Sequence, residues 1–113
     1  MDEPEYRRVM NHTKWEEIRR AMLDFPKQNM WRTKDIETGY ISDWDGDWFY
    51  HFKINGDKTS FKTIEWLEIQ CEDEEIKKEL VNVLQQIHVP GEILSGSIKI
   101  YGHVKTGTYV DYI

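Results

Sequence analysis

A chain of 113 residues has room for one hydrophobic core, and its net charge of −6 argues against a nucleic-acid backbone or an anionic lipid surface as partner. No stretch approaches the roughly 20 apolar residues of a membrane span, and Met1-Asp2-Glu3-Pro4-Glu5 lacks the apolar run of a signal peptide. The one cysteine, Cys71, cannot close an internal disulfide, so a cytoplasmic protein with a cationic partner is expected.

Residues 1–11 show no periodic pattern and read as a loosely held N-terminal arm, with Tyr6, Val9 and Met10 able to dock on the body. Residues 12–113 form the single expected domain. A helix opens at His12-Thr13-Lys14-Trp15-Glu16, where Thr13 and Glu16 have capping-box spacing. Trp15, Ile18, Met22 and Phe25 then make one apolar stripe. Pro26 stops the helix, because it pushes Phe25 out of the α region.

Residues 30–70 predict four strands. The first runs through Trp31 to Ile36 and turns at Glu37-Thr38-Gly39. The second covers Tyr40 to Trp44, and Asp45-Gly46 is a strong two-residue hairpin signal. The third runs from Asp47 to about Ile54, with a turn at Asn55-Gly56-Asp57. The fourth, about Ser60 to Gln70, places Ile64 and Trp66 on one face and Leu67 and Ile69 on the other. That break in patterning implies a strand covered on both faces, or a bulge. Glu72 to Glu75 open a second helix with acids at the positive end of its dipole. Ile76, Leu80, Val83, Leu84 and Ile87 form its apolar stripe, His88 stands at its end, and Pro90-Gly91 terminates it. Ser97 to Val104 alternates as a strand, Thr106-Gly107 is a turn, and Thr108 to Ile113 is a candidate last strand. The fold class is α+β, an antiparallel sheet of four to six strands with two helices, in the order α-β-β-β-β-α-β(-β).

The hairpin carries the most chemistry per residue. With Asp45-Gly46 as its loop, alternation puts Ile41, Trp48, Tyr50, Phe52 and Ile54 on a core face. Tyr40, Ser42, Trp44, Phe49 and His51 fall on the second face, with Asp47 at its rim. Tyr and Trp rings with polar tips suit a surface half wet and half buried in a partner. The plainer alternative is that these rings only cover the sheet, beneath the arm or the C-terminal tail.

No reaction is spelled out. Asp43-x-Asp45-Gly46-Asp47 resembles a calcium loop, but positions six and twelve are Trp48 and Ile54 where an EF-hand needs Gly and Glu. The histidines His12, His51, His88 and His103 have no zinc-motif spacing, and Cys71 has no CxxC partner. Cys71 precedes four acids that would weaken it as a nucleophile, so it reads as buried filler. No Gly-rich phosphate loop is present. Arg32 and Lys34 alternate beside Trp31 and are expected to pair with Asp43, Asp47 or Glu65 across the sheet. No catalytic residue, metal ligand or cofactor is therefore assigned.

Thr13-Lys14-Trp15, Trp31-Arg32-Thr33-Lys34, Gly39-Tyr40, Trp44-Asp45-Gly46-x-Trp48-Phe49-Tyr50-His51-Phe52, Ile64-Glu65-Trp66 and Ile100-Tyr101-Gly102 resemble a family of small bacterial proteins of unknown function. The resemblance covers about residues 13–104 and implies no catalytic residues. In size, charge and fold it is also similar to small immunity proteins encoded beside secreted toxins. The expected function is a non-enzymatic protein-binding domain, of the immunity type, that inhibits a basic bacterial toxin. Tyr40, Trp44, Asp47, Phe49 and His51 would be its contact set. One alternative is a small metal-binding protein or enzyme using His51 and nearby carboxylates. Another is a homodimerising structural module.

Overall fold

A computed structural model describes residues 5–49, 51–52 and 62–113. Its elements are β1 (Tyr6–Arg8), α1 (His12–Asp24), β2 (Trp31–Asp35), β3 (Ile64–Gln70), α2 (Glu74–Ile87), β4 (Gly91–Ile93), β5 (Ser97–Tyr101) and β6 (His103–Lys105). β2-β3-β5-β4 make an antiparallel sheet in that order, and β1 pairs with β6 in a small second one. The α+β class, with two helices and antiparallel sheets, is as the sequence implies.

α1 buries the expected stripe of Trp15, Ile18 and Met22. Its cap differs from expectation: Asn11, two residues before Thr13, accepts from the Lys14 amide at 2.8 Å. Asn is as good an N-cap as Thr, and from two residues earlier it satisfies the Lys14 amide in place of the Glu16 amide. Phe25 ends the helix in extended backbone, as Pro26 requires. α2 is capped by Asp73, which accepts from the Glu75 and Ile76 amides, and it buries Leu80 and Leu84. It closes at His88 in the left-handed conformation, φ 68°. The positive charge at its C-terminus comes from α1: the Lys14 ammonium donates to the Ile87 carbonyl and, at 2.8 Å, to that of His88.

Both helices pack on one face of the large sheet, where Leu67, Ile69, Ile98 and Ile100 join Trp31 in a single core. The irregular patterning of β3 resolves as a bulge. Lys34 pairs with Trp66 but Asp35 pairs with Ile64, so Glu65 is skipped. The extra residue turns Ile64 into the core with Leu67 and Ile69 and leaves Trp66 on the opposite face. Cys71 is buried as well, and burial pushes its thiol pKa up, which suits filler and not a nucleophile.

The expected strand from Ser97 breaks at Gly102, where the chain leaves β5 and pairs with β1 as β6. Past the Gly107 turn, φ 89°, the tail forms only a bridge from Tyr112 to Pro90. The second and third strands of the expected hairpin do not form among the described residues. Residues 40–45 touch β2 through isolated bridges at Ile41 and Asp45, and 48–49 and 51 are turn. Tyr50, Ile54 and the Asn55-Gly56-Asp57 turn lie outside the described residues.

Candidate functional site

The site residues of the sequence reading all lie on one connection after β2. Asp35 starts it: one carboxylate oxygen accepts from the Glu37 and Thr38 amides, and Gly39 adopts φ 76° to complete the turn. The chain then runs back along β2. Ser42 and Thr33 exchange hydrogen bonds, and Trp31 and Asp45 exchange both backbone bonds at 2.8 Å. This covers the free edge of β2, which would otherwise invite pairing with another chain.

At Asp45 the chain turns by side-chain chemistry. Asp45 Oδ1 accepts from the Asp47 amide and Asp47 Oδ1 from the Phe49 amide, each at 2.8 Å, giving two overlapping Asx turns. Gly46 does not take the positive φ a hairpin loop would need. The turns swing Trp48 into the core, where its indole N–H donates to the Asn29 carbonyl at 2.8 Å. Trp31, Trp48 and Phe52 then form one aromatic cluster, with ring centroids 5.0–5.7 Å apart. Arg19 on α1 fixes the exit, donating to the Trp48 and Phe49 carbonyls while its guanidinium lies 5.4 Å from the centre of the Phe49 ring.

The oxygens left over from the two turns meet one imidazole. His51 Nδ1 stands 2.5 Å from Asp45 Oδ2, and Nε2 stands 3.9 Å from Asp47 Oδ2. The hydrogen bond to Asp45, and then its charge, raise the His51 pKa above the ordinary imidazole value. A raised folded-state pKa means the pair's stabilisation is complete below the unfolded value of about 6.5 and is lost as pH climbs through the folded value. An NMR titration of the His51 ring is expected to give a midpoint above about 6.5, and Asp45→Asn should lower that midpoint. A wild-type midpoint at or below that of the variant would contradict the pairing.

The predicted contact residues are therefore partly gathered and partly separated. Asp47 and His51 come together, and Asp47 also holds the Phe49 amide. Phe49 and Tyr40 are exposed, at 51 % and 65 %. Trp44 is held elsewhere: its half-buried ring stacks on Arg32, 4.5 Å away, on the sheet face opposite the helices.

That outer face was not legible in the sequence. Cross-strand register aligns Arg32, Glu68, Lys99 and Glu92 in a row of alternating charge over four strands. Glu68 is buried, takes Arg32 Nε on one oxygen at 2.8 Å and the Ser97 hydroxyl on the other at 2.6 Å. Burial works to raise its pKa, but the Ser97 and Arg32 bonds outweigh that and hold it below the usual carboxylate range. Trp66 lies nearly buried between the Lys99 ammonium and the Arg32 guanidinium, 4.4 and 5.9 Å from its ring. Of the cross-sheet pairs expected for the two basic residues, Lys34 reaches Glu65 at 3.5 Å, while Arg32 chooses Glu68 over Asp43 and Asp47.

Among the described residues, no three His, Cys, Asp or Glu side chains gather as a metal-holding group. No described helix is long and apolar enough to cross a membrane. The fold and this rim define a two-layer α+β domain with both helices on one sheet face and a polar, aromatic opposite face. The chain belongs to the family of unknown function DUF6678, whose pattern matches residues 2–107, in agreement with the resemblance to an uncharacterised family. No curated protein and no solved structure matches it.

Proposed function

We propose that this chain is a non-enzymatic protein-binding domain of the cytoplasm, of the immunity type, that holds a basic protein toxin. The observation that carries the reading is the rim after β2. There the exposed rings of Tyr40 and Phe49 stand on a connection whose carboxylates, Asp45 and Asp47, are fixed by their own turns. Fixed acids steer and orient a cationic partner, and pre-positioned rings supply contact area at low entropic cost. The net charge of −6 supports the same partner sign. Trp44 joins the contact set at the neighbouring sheet face, and His51 lies between the two acids.

The test is co-purification with the protein encoded by the adjacent gene. The expected result is a basic, growth-inhibiting protein that copurifies and is released by salt. Replacing Tyr40→Ala, Asp47→Lys and Phe49→Ala together should weaken the complex at least about a hundredfold, the weight of a hot-spot cluster. A neighbour that does not copurify, or a complex untouched by these changes, would overturn the reading.

A further inference from the structure

At the far end of the sheet from that rim lies a cavity of about 440 Å³, bounded by β4, β5, β6 and the C-terminal tail. Its size falls within the range of small-ligand sites. Its lining joins three tyrosines, Tyr6, Tyr101 and Tyr109, to three carboxylates, Glu65, Glu92 and Asp111. Lys105 is the one Lys or Arg among the lining residues.

The carboxylates are unequally spent. Glu65 is 3.5 Å from Lys34. Among the described residues, Glu92 accepts only the Tyr101 hydroxyl, at 2.9 Å. The register sets Lys99 beside Glu92, yet the Lys99 ammonium turns over Trp66. No ion pair forms at Glu92 or Asp111 among the described residues. Burial, and then the Glu92 contact, push the Tyr101 pKa up to about 12, so this hydroxyl keeps its proton and stays a donor that aims Glu92. His103, also in the lining, donates through Nδ1 to the Ile64 carbonyl at 2.8 Å.

The wall that brings Tyr109 and Asp111 here is held in place by backbone. The Gly91 amide donates to the Asp111 carbonyl at 2.9 Å and the Ile113 amide to the Val89 carbonyl at 3.0 Å. The Tyr112 ring stacks on His88, with centroids 4.4 Å apart. Gly91 is required at that seam, because a Cβ would lie 2.3 Å from the Lys99 carbonyl oxygen and 3.0 Å from Ile113 Cδ1.

We propose that this cavity is a binding site for a small alkylammonium ligand. Tyrosine rings attract a cation through their faces, and the uncompensated Glu92 and Asp111 carboxylates supply the counter-charge. A neutral or anionic ligand would gain neither. The site is independent of the protein-binding rim, since β2 and β4 are opposite edges of the sheet.

Calorimetric titration of the whole chain with cadaverine at low salt tests this, with pentane-1,5-diol as the neutral match. Saturable one-to-one binding of the diamine and none of the diol is expected. Glu92→Gln with Asp111→Asn should weaken it at least about tenfold, and Tyr109→Ala, an exposed side chain, at least about threefold. Glu17→Gln with Glu79→Gln removes the same charge from exposed helix positions and should leave binding unchanged. An absence of saturation, or equal weakening by the two charge-matched pairs, would overturn the site. Thermal melts of each variant separate lost binding from lost folding.

Discussion

Trp48→Ala is expected to destabilise the domain by about 3–5 kcal/mol in urea denaturation, the range for emptying a buried tryptophan site. Two losses combine. The ring leaves a void between Trp31 and Phe52, each within 5.7 Å of it. The Asn29 carbonyl loses its indole donor in a place where water does not replace it, since Asn29 itself is buried. Trp48→Phe separates the two: it refills most of the volume but leaves the carbonyl unpaired, at an expected cost of about 1–3 kcal/mol. The neighbouring Phe49→Ala provides the contrast. Its ring is exposed and lies over the Arg19 guanidinium, so about 1 kcal/mol or less is expected from losing that contact. If Trp48→Ala cost no more than Phe49→Ala, the placement of the whole connection after β2 would be wrong.

Gly102→Ala should be, with Gly91→Ala, among the most damaging single-methyl additions at the described glycines, at about 1–3 kcal/mol or somewhat more. A Cβ there would lie 2.2 Å from the Ile64 carbonyl oxygen and 2.9 Å from Trp15 Cζ2. Neither neighbour can retreat cheaply. The Ile64 carbonyl accepts from His103, and Trp15 is buried in the core. Gly102 also ties the two sheets, donating to Glu65 and accepting from Val9. Gly46→Ala meets only the end of the Gln28 side chain, at 2.9 Å, which can swing away, so a far smaller loss of stability is expected. Urea midpoints of the two variants decide the matter, and equal midpoints would refute the close approach at Gly102.

Periodic segments were readable because their signals are local and agree with their burial. The α1 stripe, its stop before Pro26 and the acidic opening of α2 follow from spacing and backbone sterics alone. The mixed faces of β3 left two readings, a strand covered on both faces or a bulge, and the register between Lys34 and Asp35 selects the bulge. The connection after β2 was misread because its strongest local signal, Asp45-Gly46, fits two kinds of turn. A hairpin needs positive φ there, and an Asx turn needs only the Asp side chain. The choice fell to Trp48 and Phe52, whose burial against Trp31 and Trp15 outweighs a two-residue loop preference. Pairwise contacts of that kind leave no mark in sequence spacing.

By itself, then, the sequence determined the α+β class, the two amphipathic helices, the acidity and the crowding of rings and carboxylates between residues 40 and 52. Local sterics, capping and apolar periodicity are properties of neighbouring residues, and these settle such features. Tertiary structure alone decided that Trp44 stacks on Arg32 while Phe49 rests on Arg19, that Glu68 is buried between Arg32 and Ser97, and that the C-terminal tail walls a tyrosine-lined cavity. Each depends on which strands become neighbours, and burial of the shared core, summed over distant residues, makes that choice.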